Sequence, residues 1–165
     1  MPRKQSSRTA QRVMETDFNF SFNEWVVDPT DSAKKTFGST PALSTDPTEI
    51  GLSGPVANTV TFDCVNMPLG AVIVGGSLIV ETAGVGPTAY TASLGVAGNL
   101  TSVLAATSLL AVGRTPMPLT LPLVSNGGQN LRLTVAYTVA NATAGRFRVR
   151  IHYTIDGRAE EAMGN

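Results

Sequence analysis

Two alternating runs near the end of the chain constrain its fold more than any other feature. Between Asn130 and Asp156, Leu131, Leu133, Val135, Tyr137 and Val139 alternate with Arg132, Thr134, Ala136 and Thr138. Phe147, Val149, Ile151, Tyr153 and Ile155 then alternate with Arg146, Arg148, Arg150, His152 and Thr154. A period of two sends one set of side chains into a core and leaves the other wet, as in an antiparallel sheet with one solvated face. Asn141, Thr143 and Gly145 between the runs suit a chain reversal. The pair is expected to form a hairpin, which makes the protein an antiparallel β-sandwich or barrel.

The remainder of the chain divides around that class. Residues 1–16 are polar and basic without a sustained period, and are expected to form an extended or disordered arm. Residues 17–55 hold a first strand, with Phe18, Phe20 and Phe22 alternating and Trp25, Val26 and Val27 extending it. A long excursion rich in Pro, Asp, Ser, Thr and Gly follows from Asp28 to Pro55. Loops of that length are uncommon inside a domain, so a segment that wraps the body or meets a partner is expected.

Residues 56–158 are expected to be the sandwich body and residues 159–165 a tail. Thr59 to Val65 alternates, with Val60, Phe62 and Cys64 facing inward. Ala71 to Thr82 is nearly continuous apolar sequence, broken at Gly75-Gly76, which predicts a strand with a bulge or bend there. Ala89 to Ala97 presents Tyr90, Ala92, Leu94 and Val96 on one face. Asn99 as a cap, with Leu100, Val103 and Leu104 at helical spacing and Gly113 as a stop, predicts one short helix. Met117, Leu119, Leu121 and Leu123 alternate among Pro116, Pro118 and Pro122, which predicts an edge strand or a loosely paired one. Asn126-Gly127-Gly128 reads as a turn. Seven or eight strands and one helix result.

Charge is balanced at 12 basic and 12 acidic residues but is unevenly placed. The net value gives no bias towards nucleic acid or membrane. Between Ile50 and Gly113 there is no Lys or Arg, and Asp63 and Glu81 are the only acids. No apolar run there is long enough for a membrane helix. Two explanations stand side by side. One is a neutral Thr, Ser and Gly-rich β surface; the other is a surface covered by further subunits, since interface cores are poor in charge.

Chemistry-bearing residues are few. His152 is the one histidine and Cys64 the one cysteine, so a zinc site with the usual ligands and an internal disulfide are both excluded. Cys64 is expected inward and His152 outward, which argues against a Cys–His nucleophile pair. Asp28, Asp31 and Asp46 match no calcium loop. The glycines at 75, 76, 84, 86, 95 and 98 make no phosphate loop. Asn99-Leu-Thr and Asn141-Ala-Thr read as chance matches to a glycosylation pattern, because no secretory signal is visible. No catalytic residue, cofactor or metal is expected.

The binding candidates are the basic arm residues Arg3, Lys4, Arg8 and Arg12 and the stripe Arg146, Arg148 and Arg150. The stripe has three readings: a solvated strand face, a protein contact paired with acids, or a nucleic-acid surface. The last lacks the exposed aromatics or groove helix it would need. Asp156, Glu160 and Glu161 are close enough in sequence to partner it, and Arg132 is placed to face it across the expected hairpin.

The run from Pro68 to Ala83, the segment Ala92-Ser-Leu-Gly-Val-Ala-Gly98 and the ending Arg148-Val-Arg-Ile-His-Tyr153 resemble small decoration, or cement, proteins of tailed-bacteriophage capsids. The resemblance covers roughly residues 58 to 156 and is one of style and element order. It implies a jelly-roll-like β-sandwich and a non-enzymatic virion structural protein on the capsid exterior, made in the host cytoplasm. It also implies major capsid protein as partner and a homo-oligomer, with a homotrimer favoured; nucleic acid and membrane are not expected as partners. The alternative is a tail- or fibre-associated β-sandwich that binds carbohydrate or a receptor.

Overall fold

Every regular element among the described residues is a strand, and the strands pair antiparallel throughout. The computed structural model describes residues 13–32, 34–38, 59–118, 129–138 and 140–155. The strands are β1 (Met14–Ser21), β2 (Trp25–Val27), β3 (Lys34–Thr36), β4 (Thr59–Asn66) and β5 (Ala71–Val85). They continue as β6 (Ala89–Val96), β7 (Asn99–Ser108), β8 (Gly113–Pro116), β9 (Asn130–Thr138) and β10 (Ala144–Ile155). One sheet has the order β1-β10-β5-β8 and a second the order β4-β9-β6-β7, while β2 and β3 form a separate hairpin. Each sheet interleaves early and late strands, which is the eight-stranded, double Greek-key arrangement of a jelly roll. The hairpin β2–β3 is an insertion between its first two strands. The arm residues before Val13, the excursion from 39 to 58, the residues from 119 to 128 and the tail lie outside the described residues.

The two sheets share one core, built from the inward half of each alternating strand. Leu131, Leu133 and Val135 on β9 face Phe147, Val149 and Ile151 on β10, all buried. The alternation is as expected, but the hairpin is not. β9 pairs with β4 and β6, whereas β10 pairs with β1 and β5, so the two runs oppose each other across the core. Two strands with strong apolar faces satisfy those faces better across a sandwich than side by side, and period two does not distinguish these partners.

Aromatic rings tie the layers together. Phe20 of β1 lies 4.9 Å from Phe37 and 5.1 Å from Phe147 of β10. Phe147 meets Tyr90 of β6 edge-on at 5.5 Å, and Phe18 of β1 reaches Phe62 of β4 at 5.5 Å. Phe37 follows β3, so it carries the inserted hairpin into the core. Tyr90 Oη donates to Phe37 O at 3.0 Å, which satisfies a hydroxyl that would otherwise be buried without a partner.

Bulges explain where the expected phase slips. The register of β10 on β5 shifts between His152 and Tyr153, opposite Gly75, as the Gly75-Gly76 break predicts. Beyond it the faces exchange: Thr154 is buried, while Tyr153 and Ile155 are only half-buried, opposite to simple alternation. On β4 the register moves from Asp63 to Val65, which leaves Cys64 as the extra residue and turns Val65 into the core.

The segment from Asn99, expected as a helix, is β7. It pairs with β6 from Val96↔Asn99 to Thr91↔Ser108, with two register shifts. Asn99 Oδ1 accepts from the Thr101 N–H at 3.4 Å, the local bond that also caps helices. Here Gly98 reverses the chain at φ +88, and Leu104 is buried against Leu94 in the sheet. Phe22 to Glu24 also turns, so Trp25 to Val27 is a separate strand and not a continuation of the first.

Among the described residues, each edge of the two four-stranded sheets carries a device that discourages further pairing. β1 presents Glu15 and Asp17; β8 is four residues long and ends in Pro116; β7 is interrupted by its two register shifts. At β4 the N–H of Thr61 donates to Asp28 Oδ2 at 2.9 Å, so a carboxylate occupies the edge. The turn into β7 gives a test of the fold. A Cβ on Gly95 would meet the backbone of Asn99 and lie 2.7 Å from Leu100 Cα, where no flexible group can yield. Gly95→Ala is expected to cost about 1–3 kcal/mol in urea denaturation. An unchanged midpoint would contradict the β6–β7 hairpin.

Candidate interaction surfaces

The outward faces of the two sheets differ in chemistry. On the first, Glu15, Asp17 and Asn19 of β1 lie opposite His152, Arg150 and Arg148 of β10 in register. Arg150 donates to Asp17 through Nε and Nη2, both at 2.9 Å, and its Nε is 3.2 Å from Glu15. Arg148 donates to Asn19 Oδ1 at 3.0 Å and forms a close ion pair with Glu81, which Arg146 also approaches at 3.2 Å. His152 Nε2 lies 3.1 Å from Glu15. Glu81 reaches two arginines because the register shift between Arg146 and Phe147 leaves it as an additional residue on β5.

The arginine stripe expected from sequence therefore exists, and acids of its own sheet engage it. Pairs of this kind at a partly exposed surface contribute roughly 0–1 kcal/mol each, more when charges are networked. The Arg150 hydrogen bond lowers the Asp17 carboxyl below its ordinary value against a smaller opposing effect of burial, with the Arg150, Arg148 and His152 charges acting in the same direction. Arg146 is the most open of the three, with 68 % of its side chain exposed. Arg132 does not face the stripe. It lies on the other sheet, where its Nε is 2.7 Å from Asp63 Oδ1. Arg3, Lys4, Arg8 and Arg12, together with Asp156, Glu160 and Glu161, lie outside the described residues.

The outward face of the second sheet is formed from small neutral side chains. Thr59, Ala136, Thr91 and Ser108 share one row, and Thr61, Thr134 and Ser93 the next. The Asp63–Arg132 pair is the described exception. The opposite side of β6 points inward as expected, with Tyr90, Ala92 and Leu94 buried.

Asp28 is the one buried acid among the described residues, at 2 % exposure. Its carboxylate accepts from Thr30 Oγ1 at 2.5 Å, from the N–H of Thr30 and of Thr61, both at 2.9 Å, and from Lys35 Nζ at 2.9 Å. Lys35 also lies 2.6 Å from Asp31, so an ammonium stands between the two acids that a cation site would have used. Asp46 is outside the described residues. Burial pushes the Asp28 pKa up, but the bonds from Thr30, Lys35 and the Thr61 backbone outweigh it and hold the value at about 2. The sequence signal was Asp28-Pro29-Thr30, a turn-forming run in which Asp binds its own backbone two residues on.

Cys64 and His152 are not paired: Cys64 packs against the core from the second sheet, while His152 lies on the outward face of the first with Glu15. Cys64 Sγ donates to Leu131 O at 3.4 Å, and burial pushes the thiol up to about 12, far from a reactive thiolate. Among the described residues no three His, Cys, Asp or Glu side chains come together as a metal group.

The chain matches no protein-family model and no curated protein. Among solved structures it resembles a chain of the cyanophage Pam1 capsid asymmetric unit, at a TM-score of 0.54 and 19 % identity, over 94 % of this chain and 99 % of that one. At that identity the likeness concerns the fold. Coverage of nearly the whole of both chains means that they are alike in length as well as in layering.

Two tests arise from these contacts. The stability that Asp28 confers is complete above the ordinary carboxylate value of 3.8 and is lost as pH falls towards about 2. Melting temperatures between pH 6 and pH 2 should fall in that window for the wild type. They should start lower and fall less for Asp28→Asn, which leaves Lys35 without its buried partner at a cost of about 1–3 kcal/mol. Parallel pH profiles for the two proteins would contradict this. The Cys64 thiol should resist an aromatic disulfide reagent at pH 8 until the protein is unfolded; rapid labelling of native protein would contradict its burial.

Proposed function

We propose that the protein is a non-enzymatic virion structural protein that decorates a bacteriophage capsid, binding major capsid subunits on the exterior as a homo-oligomer. The observation that carries this reading is the end-to-end jelly-roll likeness to a chain of a capsid asymmetric unit, in a protein of matching length. The sequence resemblance to decoration proteins, over the stretches from Pro68 to Ala83 and from Arg148 to Tyr153, points the same way. The chemistry available supports binding over catalysis: the thiol is held protonated by burial, and the outward histidine is engaged by Glu15.

The mechanism is additive. The basic residues Arg3, Lys4, Arg8 and Arg12 precede β1, which starts at Met14, so they can lie along neighbouring capsid subunits while the sandwich keeps its fold. Ordering an extended segment costs entropy but covers a large area per residue. Arg146, Arg148 and Arg150 are proposed as a secondary contact, with Arg146 the most available. A trimer placed on a symmetry axis of the shell would bring three arms to the surface together, and linked weak contacts then act as one strong one.

The reading is tested on particles. Full-length protein added to shells stripped of it should co-sediment saturably, and labelled antibody against it should decorate the outside of intact virions. Deletion of residues 1–12 should weaken co-sedimentation by at least about tenfold while leaving the melting temperature unchanged, because β1 is retained. Equal binding by the truncated protein would remove the arm from the mechanism, and no binding by the full chain would overturn the reading.

A further inference from the structure

One cation on the outward face of the first sheet has no acid of its own. Arg114 of β8 is exposed, and among the described residues no carboxylate pairs with it. The β5–β8 ladder sets Ile79 opposite Arg114, and the β10–β5 ladder sets Arg148 opposite Ile79. Residues opposite each other in an antiparallel ladder point to the same side. Leu78 and Val80, on either side of Ile79, are buried in the core, so this row points outward. Arg148, Ile79 and Arg114 therefore form one row across three strands, with the two arginines about 10 Å apart at twice the strand spacing. Arg146 lies two residues along β10 from Arg148, about 7 Å away. Its side chain is 68 % exposed.

Positive charge is in excess on this part of the face. Glu81 serves both Arg146, at 3.2 Å, and Arg148. Arg148 otherwise reaches Asn19 and, at 3.9 Å, an Asp17 that Arg150 already holds through two hydrogen bonds. Glu15 is likewise engaged by Arg150, at 3.2 Å. Arg114, Arg146 and Arg148 are thus left with Glu81 as the acid between them. Apolar surface accompanies them: Ile79 is half-buried at the centre of the row, and Val112, just before the last ladder residue Gly113, is 68 % exposed. Arginine is enriched at protein contacts, where its planar fork grips a carboxylate in two places.

A second copy presenting the same rows about a two-fold axis would set Arg114 and Arg146 against their own kind. A nucleic-acid strand would lay phosphates on Glu81 and would find no aromatic ring in these rows to stack on. A protein segment carrying carboxylates meets the surplus without either penalty. We propose that the row Arg148–Ile79–Arg114, with Arg146 beside it, receives an acidic segment of a partner protein whose carboxylates stand about 7–10 Å apart. This deepens the reading above by naming the chemistry of the shell surface, and it rests on that reading only for the identity of the partner.

Labelled poly-L-glutamate, titrated with the full chain at low salt and read by fluorescence anisotropy, isolates this chemistry. Arg114→Gln and Arg146→Gln should each weaken binding about three- to fivefold, and the double variant about tenfold or more. Lys34→Gln removes the same charge from an exposed site on the β2–β3 hairpin and should stay within about twofold of the wild type. The melting temperature should not change in Arg114→Gln, which has no ion pair to lose. Variants that bind like the wild type, or an equal loss in Lys34→Gln, would overturn the proposal. Duplex DNA whose binding falls in Arg114→Gln while that of polyglutamate holds would hand the face to nucleic acid and overturn it too. So would a wild type that self-associates at micromolar concentration and becomes monomeric in Arg114→Gln, which would assign the face to acids of a second copy. On stripped shells the same variants should lose co-sedimentation in step with polyglutamate, and shells bound equally by all of them would overturn the contact. A full chain that ignores shells yet loses polyglutamate binding in Arg114→Gln would refute the decoration role and leave this surface standing.

Discussion

The fold depends on a set of aromatic rings that spans the gap between the sheets. Phe18 and Phe20 come from β1, Phe147 from β10, Phe62 from β4 and Tyr90 from β6, and Phe37 enters from the inserted hairpin. Large rings bury much apolar area, and tilted or edge-on contacts at 5–6 Å add to it. Because Phe37 belongs to that set, the hairpin β2–β3 is fixed by the same core as the eight main strands. Its second attachment is polar: Asp28 reaches the free edge of β4 and is held by Lys35. The two attachments act on opposite sides of the hairpin, which is why so short an element keeps one position.

That arrangement also governs how the molecule meets others. Edge strands invite pairing with any exposed strand. Here acids guard β1, shortness and a proline β8, register shifts β7 and the Asp28 carboxylate β4, the four edges of the two main sheets. Association of the two main sheets is thereby directed to side chains on faces and loops, where charge decides what is compatible. The first sheet pairs the three arginines of β10 with Asp17, Glu15 and Glu81 within the same face, and the second sheet carries little charge at all.

Much of this was legible in sequence, and the failures have physical causes. Alternation fixed the inward faces of β9 and of β10 as far as Ile151, because burial on one side of a strand depends only on local period. It could not fix pairing, since period two sets which side of a strand is apolar and not whether the other run lies beside it or in the layer opposite. The phase of Tyr153, Thr154 and Ile155 was lost to a bulge whose place at Gly75-Gly76 was nevertheless visible. The segment after Asn99 read as a helix because Leu100, Val103 and Leu104 have helical spacing, yet Leu94 and the tight turn at Gly98 supply a sheet partner that local spacing cannot see. Among the surfaces, the arginine stripe was found and its acids were not. Asp17 and Glu15 are more than a hundred residues from Arg150 and His152, and only topology joins them.

The contrast between the two faces has a consequence for how a small sandwich can serve an assembly. A chain of this size has too little surface for several large interfaces of the same kind, so different contacts must use different chemistry to remain separate. Paired charges keep a face soluble and discourage apolar contact, because desolvating them costs several kcal/mol per ion. Thr, Ser, Ala and exposed Val and Leu desolvate at far lower cost, so contact is directed to them by default. On the proposed role, the basic arm serves the shell, Arg146 as the most open residue of the ion-paired face adds a secondary contact, and the weakly charged second sheet is the surface that copies can cover at least cost. The order in which these contacts form then follows from their range. Charge on the arm acts over about 8–10 Å at physiological salt and can guide approach, whereas uncharged side chains act only on contact. Salt should therefore weaken attachment to a shell without dissociating the copies from one another, because screening reaches the first interaction and not the second.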